Sequence, residues 1–268
     1  LGSSFGFEAS RAAEGIIEIV EAHMERAIRN VSVEQGADPR IATLVAFGGA
    51  GGLHATALAR RLDMASVAVP PYAGVFSALG LLMAPPRLDA ARSVSPTAPY
   101  WSHLADLAKQ ASTDYLAANG SGAERIERRV DMRYRGQAYE ISVPVDPGDN
   151  PESLEDRFHA LHHEMNGFAR PDDPVEVVTV RAVAEGASLL GWEDLPRLGE
   201  GPLPTPRRRT VTIRGSEVTA DVWWRPDLPA GGVLSGPAVI EEDVGTTLLL
   251  PGDRARVAAD GTLEVTLT

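Results

Sequence analysis

Apolar and polar residues recur along the chain in two different periods, and the change from one to the other divides it. Within and just beyond residues 9–30, Ile16, Val20, Met24, Ala27, Ile28 and Val31 are spaced as on one buried face of a helix. Glu14, Glu18, Glu21 and Glu25 fill most remaining positions and give way to Arg26 and Arg29, an order that suits the helix dipole. Gly36 and Asp38-Pro39 mark a loop. The apolar run Thr43-Leu-Val-Ala-Phe then ends in Gly48-Gly-Ala-Gly-Gly52, which opens onto a helix over residues 53–62. That order is strand, tight turn, helix. Ser66-Val-Ala-Val is a second strand stopped by Pro70-Pro71, and an apolar, small-residue stretch from Tyr72 to Leu82 ends at Pro85-Pro86.

The second half begins helically and turns to strands. Leu104, Leu107, Ala108, Ala111, Tyr115 and Leu116 predict an amphipathic helix over residues 102–119. Residues 128–145 alternate as a β-hairpin, with an arm ending at Tyr134, a turn at Arg135-Gly136 and a return over 139–145. A helix over 151–165 follows, and 174–183 form a strand able to pair with the hairpin. Residues 191–206 are rich in Gly and Pro, a linker or ordered loop. Beyond them, short strands are predicted at 210–213, 217–224, 238–241, 246–250, 254–257 and 262–266.

Length and composition narrow the function classes. At 268 residues two domains are expected, and 44% hydrophobic with 23% charged content is that of a globular protein. A net charge of −12 argues against nonspecific nucleic-acid binding, which runs on Lys and Arg displacing counterions. With no cysteine, disulfides, Cys-ligated zinc and thiol nucleophiles are excluded. No apolar run approaches the ~20 residues of a membrane helix and no signal-peptide pattern opens the chain, so a cytoplasmic location is expected. The first residue is Leu1 rather than Met, as in a processed product or a piece of a longer chain.

Several residues carry candidate chemistry. Glycines between strand and helix admit positive φ and let a ligand approach the free N–H groups of the helix start; equally, they let a helix pack closely on a sheet. Gly2-Ser3-Ser4-Phe5-Gly6 matches the nucleophile-elbow pattern, but only one residue precedes it where a strand is needed. Lys109, the only lysine, falls in a solvated helix, which argues against both a Walker-type phosphate lysine and a Schiff-base lysine. His159, His162 and His163 share one side of their helix, a spacing a metal could use but with no sign of supporting partners. His23 reads as a packed or half-exposed residue and Ser77 as a small packing residue. Arg207-Arg208-Arg209 reads as a solvated strand edge, and Glu241 and Glu242, adjacent on a strand, face opposite ways.

The order G-x-D-P-R, L-V-A-F-G-G-A-G, L-H-A, V-P-P, G-V-F-S-A-L-G, with R-Y-x-G-Q at Arg133–Gln137 and G-P-A-V-I-E-E at Gly236–Glu242, resembles the hydantoinase A and 5-oxoprolinase family. That family includes subunits of acetone and acetophenone carboxylases. The resemblance implies an α/β fold: the end of an actin-like (ribonuclease H-like) ATPase lobe over residues 1–95, then an α+β, β-rich C-terminal domain over 96–268. In this division, helices and hairpin occupy 96–190 and a β-rich tail 207–268. It further implies that Gly48, Gly49, Ala50 and Gly51 are the turn contacting the adenosine of ATP, with His54 on the helix behind. The family usually has proline where this chain has Gly52. Arg133, Arg135 and Gln137 are read as structural or subunit-contact residues.

The implied activity is ATP- and Mg²⁺-dependent hydrolysis of a cyclic amide activated by phosphorylation. The implied partners are a hydantoinase B-like subunit and an N-terminal ATPase lobe absent from this chain, in an oligomer. The alternatives are a ketone carboxylase subunit or a non-catalytic assembly module.

Overall fold

The computed structural model describes Gly6 and residues 8–95 and 99–267. The elbow-like motif around Ser4 lies outside the described residues. Two compact units form, residues 1–82 with 191–268, and residues 83–190. The first 82 residues and residues 191–268 thus share one unit.

The first unit begins with helix α1, Ala9–Val31. Strand β1 (Thr43–Val45), helix α2 (Gly51–Arg61), strand β2 (Ser66–Val69) and helix α3 (Phe76–Met83) follow. The strands β1 and β2 pair in parallel, with Leu44 opposite Val67.

The second unit contains β3 (Arg87–Ser93), α4 (Tyr100–Asn119), β4 (Arg125–Tyr134), β5 (Ile141–Val145), α5 (Pro151–Asn166) and β6 (Val175–Glu185). Its sheet is antiparallel in the order β3-β6-β4-β5. The predicted hairpin is present, with Met132 opposite Ile141. Alternation in β4 sends Val130, Met132 and Tyr134 into a core with Leu104, Leu107 and Ala111 of α4 and Leu154 and Phe158 of α5. The intervening residues carry charge: Asp131 accepts from Arg181 at 2.7 Å and Arg133 donates to Glu176 at 2.7 Å.

The tail returns to the first unit as seven strands: β7 (Arg207–Ile213), β8 (Ser216–Trp224), β9 (Val233–Ser235), β10 (Ala238–Glu242), β11 (Gly245–Leu249), β12 (Arg254–Val257) and β13 (Leu263–Thr266). They do not form one sheet. Strand β13 pairs antiparallel with β2, extending the N-terminal sheet to β1-β2-β13-β12-β9, while β11-β10-β8-β7 form another. A shared core of Ala55, Ala59, Val67, Val69, Ile240, Leu249 and Leu263 joins the two ends of the chain.

One expectation is overturned. Periodicity predicts Ile16, Val20, Met24, Ala27, Ile28 and Val31 to share a buried side of α1, yet Ile16, Val20, Ala27 and Val31 are exposed, Met24 is half-buried, Ile28 packs half-buried against the core, and the buried residue is Glu21. The helix packs by its acidic side because the acceptors it carries find donors there, as described below. Among the described residues no helix is long and apolar enough to cross a membrane.

Helix α5 is fixed at its start by a reciprocal cap, Asn150 accepting from Ser153 N–H and Ser153 Oγ accepting from Asn150 N–H. Arg157 adds a fork to Asp149 and, with the Asp146 backbone N–H and the Ser153 hydroxyl, holds its carboxyl below the ordinary value. A carboxyl whose pKa falls on folding adds stability above its unfolded value, roughly 4, and that addition is lost as pH falls through the lowered value. Arg157→Gln should therefore lower the melting temperature at neutral pH, with the gap from the parent closing as both are taken well below pH ~4, as thermal melts across a pH series would measure.

Candidate functional site

The glycine turn sits where β1 gives way to α2. Ala46 N–H donates to Ala68 O at 2.8 Å and so continues the parallel pairing one residue beyond β1. Gly48 then takes φ +86, a left-handed conformation that costs any L side chain, and its N–H donates to Ala73 O at 2.7 Å. Its carbonyl accepts from Gly51 N–H at 3.1 Å. Ala50 is the N-cap and offers no side-chain acceptor, no acidic residue stands in the first turn, and Arg60 and Arg61 occupy the last. The electropositive end of α2 is left uncompensated beside exposed Gly49 and Ala50, an arrangement able to receive a polar or anionic group.

The other side of this turn is filled by the protein itself. Between β10 and β11, Val244 presents its carbonyl toward Gly49 and Gly74: a Cβ on Gly49 would stand 3.1 Å from it, and one on Gly74 would collide. Thr246 N–H donates to Gly49 O at 3.2 Å, and Thr56 Oγ1 donates to Leu248 O at 3.3 Å. Gly52 is the tightest point of α2 on β11, since a Cβ there would stand 2.5 Å from Thr247 Oγ1 and 2.8 Å from Thr246 O. Ring atoms of a proline at this position would enter the same space. Of the residues expected at the adenosine turn, Gly48 serves the backbone bend and Gly49 lies between hairpin and solvent. Ala50 and Gly51 open the helix.

Sequence reasoning missed two neighbours of the turn. Tyr72 is a non-glycine residue at φ +57, ψ 31, immediately before the Ala73 carbonyl that holds Gly48; such strain persists where surrounding contacts impose it. The prolines before it were the available signal. A cavity of about 310 Å³ is bounded by Tyr72, Val75, Arg225, Glu242, Asp243 and Val244. Arg225 is buried and donates to Val69 O and Pro70 O, each at 2.7 Å, to Gly261 O at 3.1 Å and to Glu242 at 3.0 Å. Burial lowers its pKa below the usual arginine value while the Glu242 carboxylate opposes that shift.

Most of the remaining candidates have structural partners. His54 Nδ1 lies 3.4 Å from Glu21, which also faces Arg61 at 3.5 Å, so this histidine ties α1 to α2. His162 is fully buried between Phe168 O and Gln137, His159 bonds the Tyr134 hydroxyl at 2.7 Å, and His163 is exposed. Among the described residues no three His, Asp or Glu side chains are grouped to hold a metal. Gln137 also accepts from Tyr134 N–H, while Arg135 is exposed. Arg207 and Arg209 both reach Glu241, and Arg208 pairs with Asp221 at 3.4 Å. Glu241 and Glu242 do point apart, one to β7 and one to Arg225. His23 and Ser77 are exposed.

Overpacking of this kind typically costs ~1–3 kcal/mol, so Gly52→Ala should destabilise the chain by about that amount. Chemical denaturation would measure it, and a neutral result would mean that α2 can move away from β11 freely.

Residues 1–90 match the family described as hydantoinase/oxoprolinase. An uncharacterized protein of Methanocaldococcus jannaschii is 32% identical over 99% of this chain and 39% of its own length. The caprolactamase subunit alpha of Pseudomonas jessenii is 29% identical over 99% of this chain and 41% of its own. The crystal structure of the ATP-dependent caprolactamase from that organism superposes with a TM-score of 0.72 at 26% identity, again over 99% of this chain and 41% of that one. The chain spans about two-fifths of the length of these relatives. The motifs, the family match over the first 90 residues and the likeness to caprolactamase over nearly the whole length make this chain a relative of the hydantoinase/oxoprolinase family.

Proposed function

We propose that the chain is the adenosine-contacting and subunit-contacting portion of an ATP-dependent enzyme that opens cyclic amides. The observation that carries this reading is the glycine turn: a strand-to-helix junction with exposed Gly49 and Ala50 at an uncompensated helix start, in a relative of an ATP-dependent caprolactamase. In this proposal residues 1–95 close an actin-like ATPase lobe, and residues 96–268 form the family's C-terminal domain. Gly48, Gly49, Ala50 and Gly51 would border the adenosine, with the backbone N–H groups of Gly49 and Ala50 turned to its polar edge. The Val244 hairpin would act as a rigid back wall.

ATP would supply phosphoryl transfer to the amide oxygen, which activates a resonance-stabilised C–N bond toward water. The chain's own part is positional: Gly48 fixes the bend, Thr246 and Thr56 hold the turn and α2 on β11, and a fixed turn orients a nucleotide without a further entropic cost at binding. Mg²⁺ belongs to the same proposal as the ion that would neutralise the phosphates of the nucleotide and line up its γ-phosphate. Relatives named as an alpha subunit of caprolactamase and a beta subunit of acetone carboxylase support an oligomer with a partner similar to hydantoinase B. A cytoplasmic setting belongs to the same proposal.

A second reading draws on the hairpin contact. Gly49, Gly52 and Gly74 are all required, wholly or in part, by close approach to Val244 and β11, so the turn could serve packing in a non-catalytic assembly module. Calorimetric titration with Mg·ADP separates the two readings. Binding is expected in the parent, and Ala50→Asp, a favoured N-cap that places a carboxylate at the turn, should weaken it by at least about tenfold with the melting temperature kept. Absence of binding in the parent sinks the adenosine assignment and leaves the packing turn.

A further inference from the structure

The cavity of about 310 Å³ beside Tyr72 is separate from the surface assigned to adenosine, since none of Gly48, Gly49, Ala50 and Gly51 lines it. Its wall is mostly apolar, with the exposed side chains of Tyr72, Val75 and Val244 and the half-buried Leu198 set around one space. At ~30 Å³ for each water-sized group, that space admits about ten of them, which is the size of a small organic molecule. Tyr72 holds its place in the wall on a left-handed backbone, φ +57, a conformation that a bulky residue keeps only where its surroundings impose it.

Charge decides which molecule suits the space. Glu242, Asp243 and Asp260 line it against a single cation, Arg225. That guanidinium is already committed, to Glu242 and to the carbonyls of Val69, Pro70 and Gly261, so it offers an anionic ligand little. Asp260 accepts from Thr262 N–H at 2.9 Å. Burial works against its charge, but the bonds from Thr262 and Trp192 and the nearby Arg197 outweigh it and hold the carboxyl below the ordinary value, so Asp260 is an anion at neutral pH. Asp243 differs from both. It occupies the turn between β10 and β11, is exposed, and among the described residues has neither a hydrogen bond nor an ion pair.

An anion would meet repulsion here, and a neutral molecule would leave the Asp243 carboxylate unused. A cation on an apolar body answers both features, and the face of the Tyr72 ring is a further attractor for it. We propose that this cavity binds an organic ammonium ion, a protonated amine on a short apolar chain, with its head toward Asp243 and the Tyr72 ring and its chain against Val75, Leu198 and Val244. The site does not depend on the adenosine assignment.

The test titrates the chain with n-pentylammonium chloride at neutral pH and follows the backbone amide NMR signals of Val75, Val244 and Gly261. Saturable shifts are expected, with an affinity about tenfold above that of 1-pentanol, and pentanoate should bind more weakly still. Asp243→Asn should weaken the amine by at least about threefold with the melting temperature kept, because no other residue leans on that carboxylate. Tyr72→Asn, which puts a residue tolerant of the left-handed backbone in place of the ring, should weaken it as well. Shifts that do not saturate overturn the proposal, as does pentanol binding as tightly as the amine, or an affinity unchanged by Asp243→Asn. Displacement of the amine by Mg·ADP overturns it too, since the cavity then belongs to the nucleotide. Amine binding in a chain that binds no Mg·ADP would sink the adenosine assignment and leave the ammonium site standing.

Discussion

The buried guanidinium of Arg225 binds together segments that are far apart in sequence. Its donors reach the carbonyls that end β2, the carbonyl preceding β13 and the carboxylate that ends β10. An arginine removed from water is tolerated only where most of its donors are met and its charge is opposed, and here both conditions hold. The consequence is architectural. The β-rich tail cannot be treated as an appendage to the N-terminal strands, because β2 pairs with β13 and its final carbonyls are satisfied by a residue at the end of β8.

The same union defines the glycine turn. The hairpin of β10 and β11 gives the run Gly48–Gly52 a support beyond the Gly48–Ala73 bond and the start of α2. With Thr246 bonded to Gly49 and Thr247 pressed against Gly52, its geometry is set before any ligand arrives. Packing and ligand approach, the two uses that glycines allow, fall on different members of the run. Gly52 answers to β11, Gly48 to its positive φ, while Gly49 and Ala50 remain at the surface.

What the sequence made legible follows from which signals are local. The strand, turn and helix around Gly48, the hairpin at Tyr134 and most tail strands are written in short-range alternation and turn residues, and they stand within a few residues of their predicted bounds. Strand β3 was illegible because Arg87-Leu-Asp-Ala-Ala-Arg-Ser lacks β-branched residues; seven paired positions along β6 make it a strand. Strand β9, three residues long, is likewise created by its pairing with β12. Pattern also could not say that His162 ends between Phe168 O and Gln137, since those partners come from a loop and from the hairpin. At the turn, the glycines were visible and the hairpin that presses on them was not, because Val244 is about 190 residues away and carries no motif linking it to Gly49.

Helix α1 shows the remaining gap between pattern and packing. A period of 3.6 identifies which residues share a side of a helix; it does not say which side the rest of the unit will take. Here the donors offered by α2 and by Gly215 N–H select the acidic side, so Glu21 is buried while Ile19 and Val31 face outward. Both signals in the sequence were real. The acidic positions encode attachment to α2, and of the apolar positions Ile28 packs against the core.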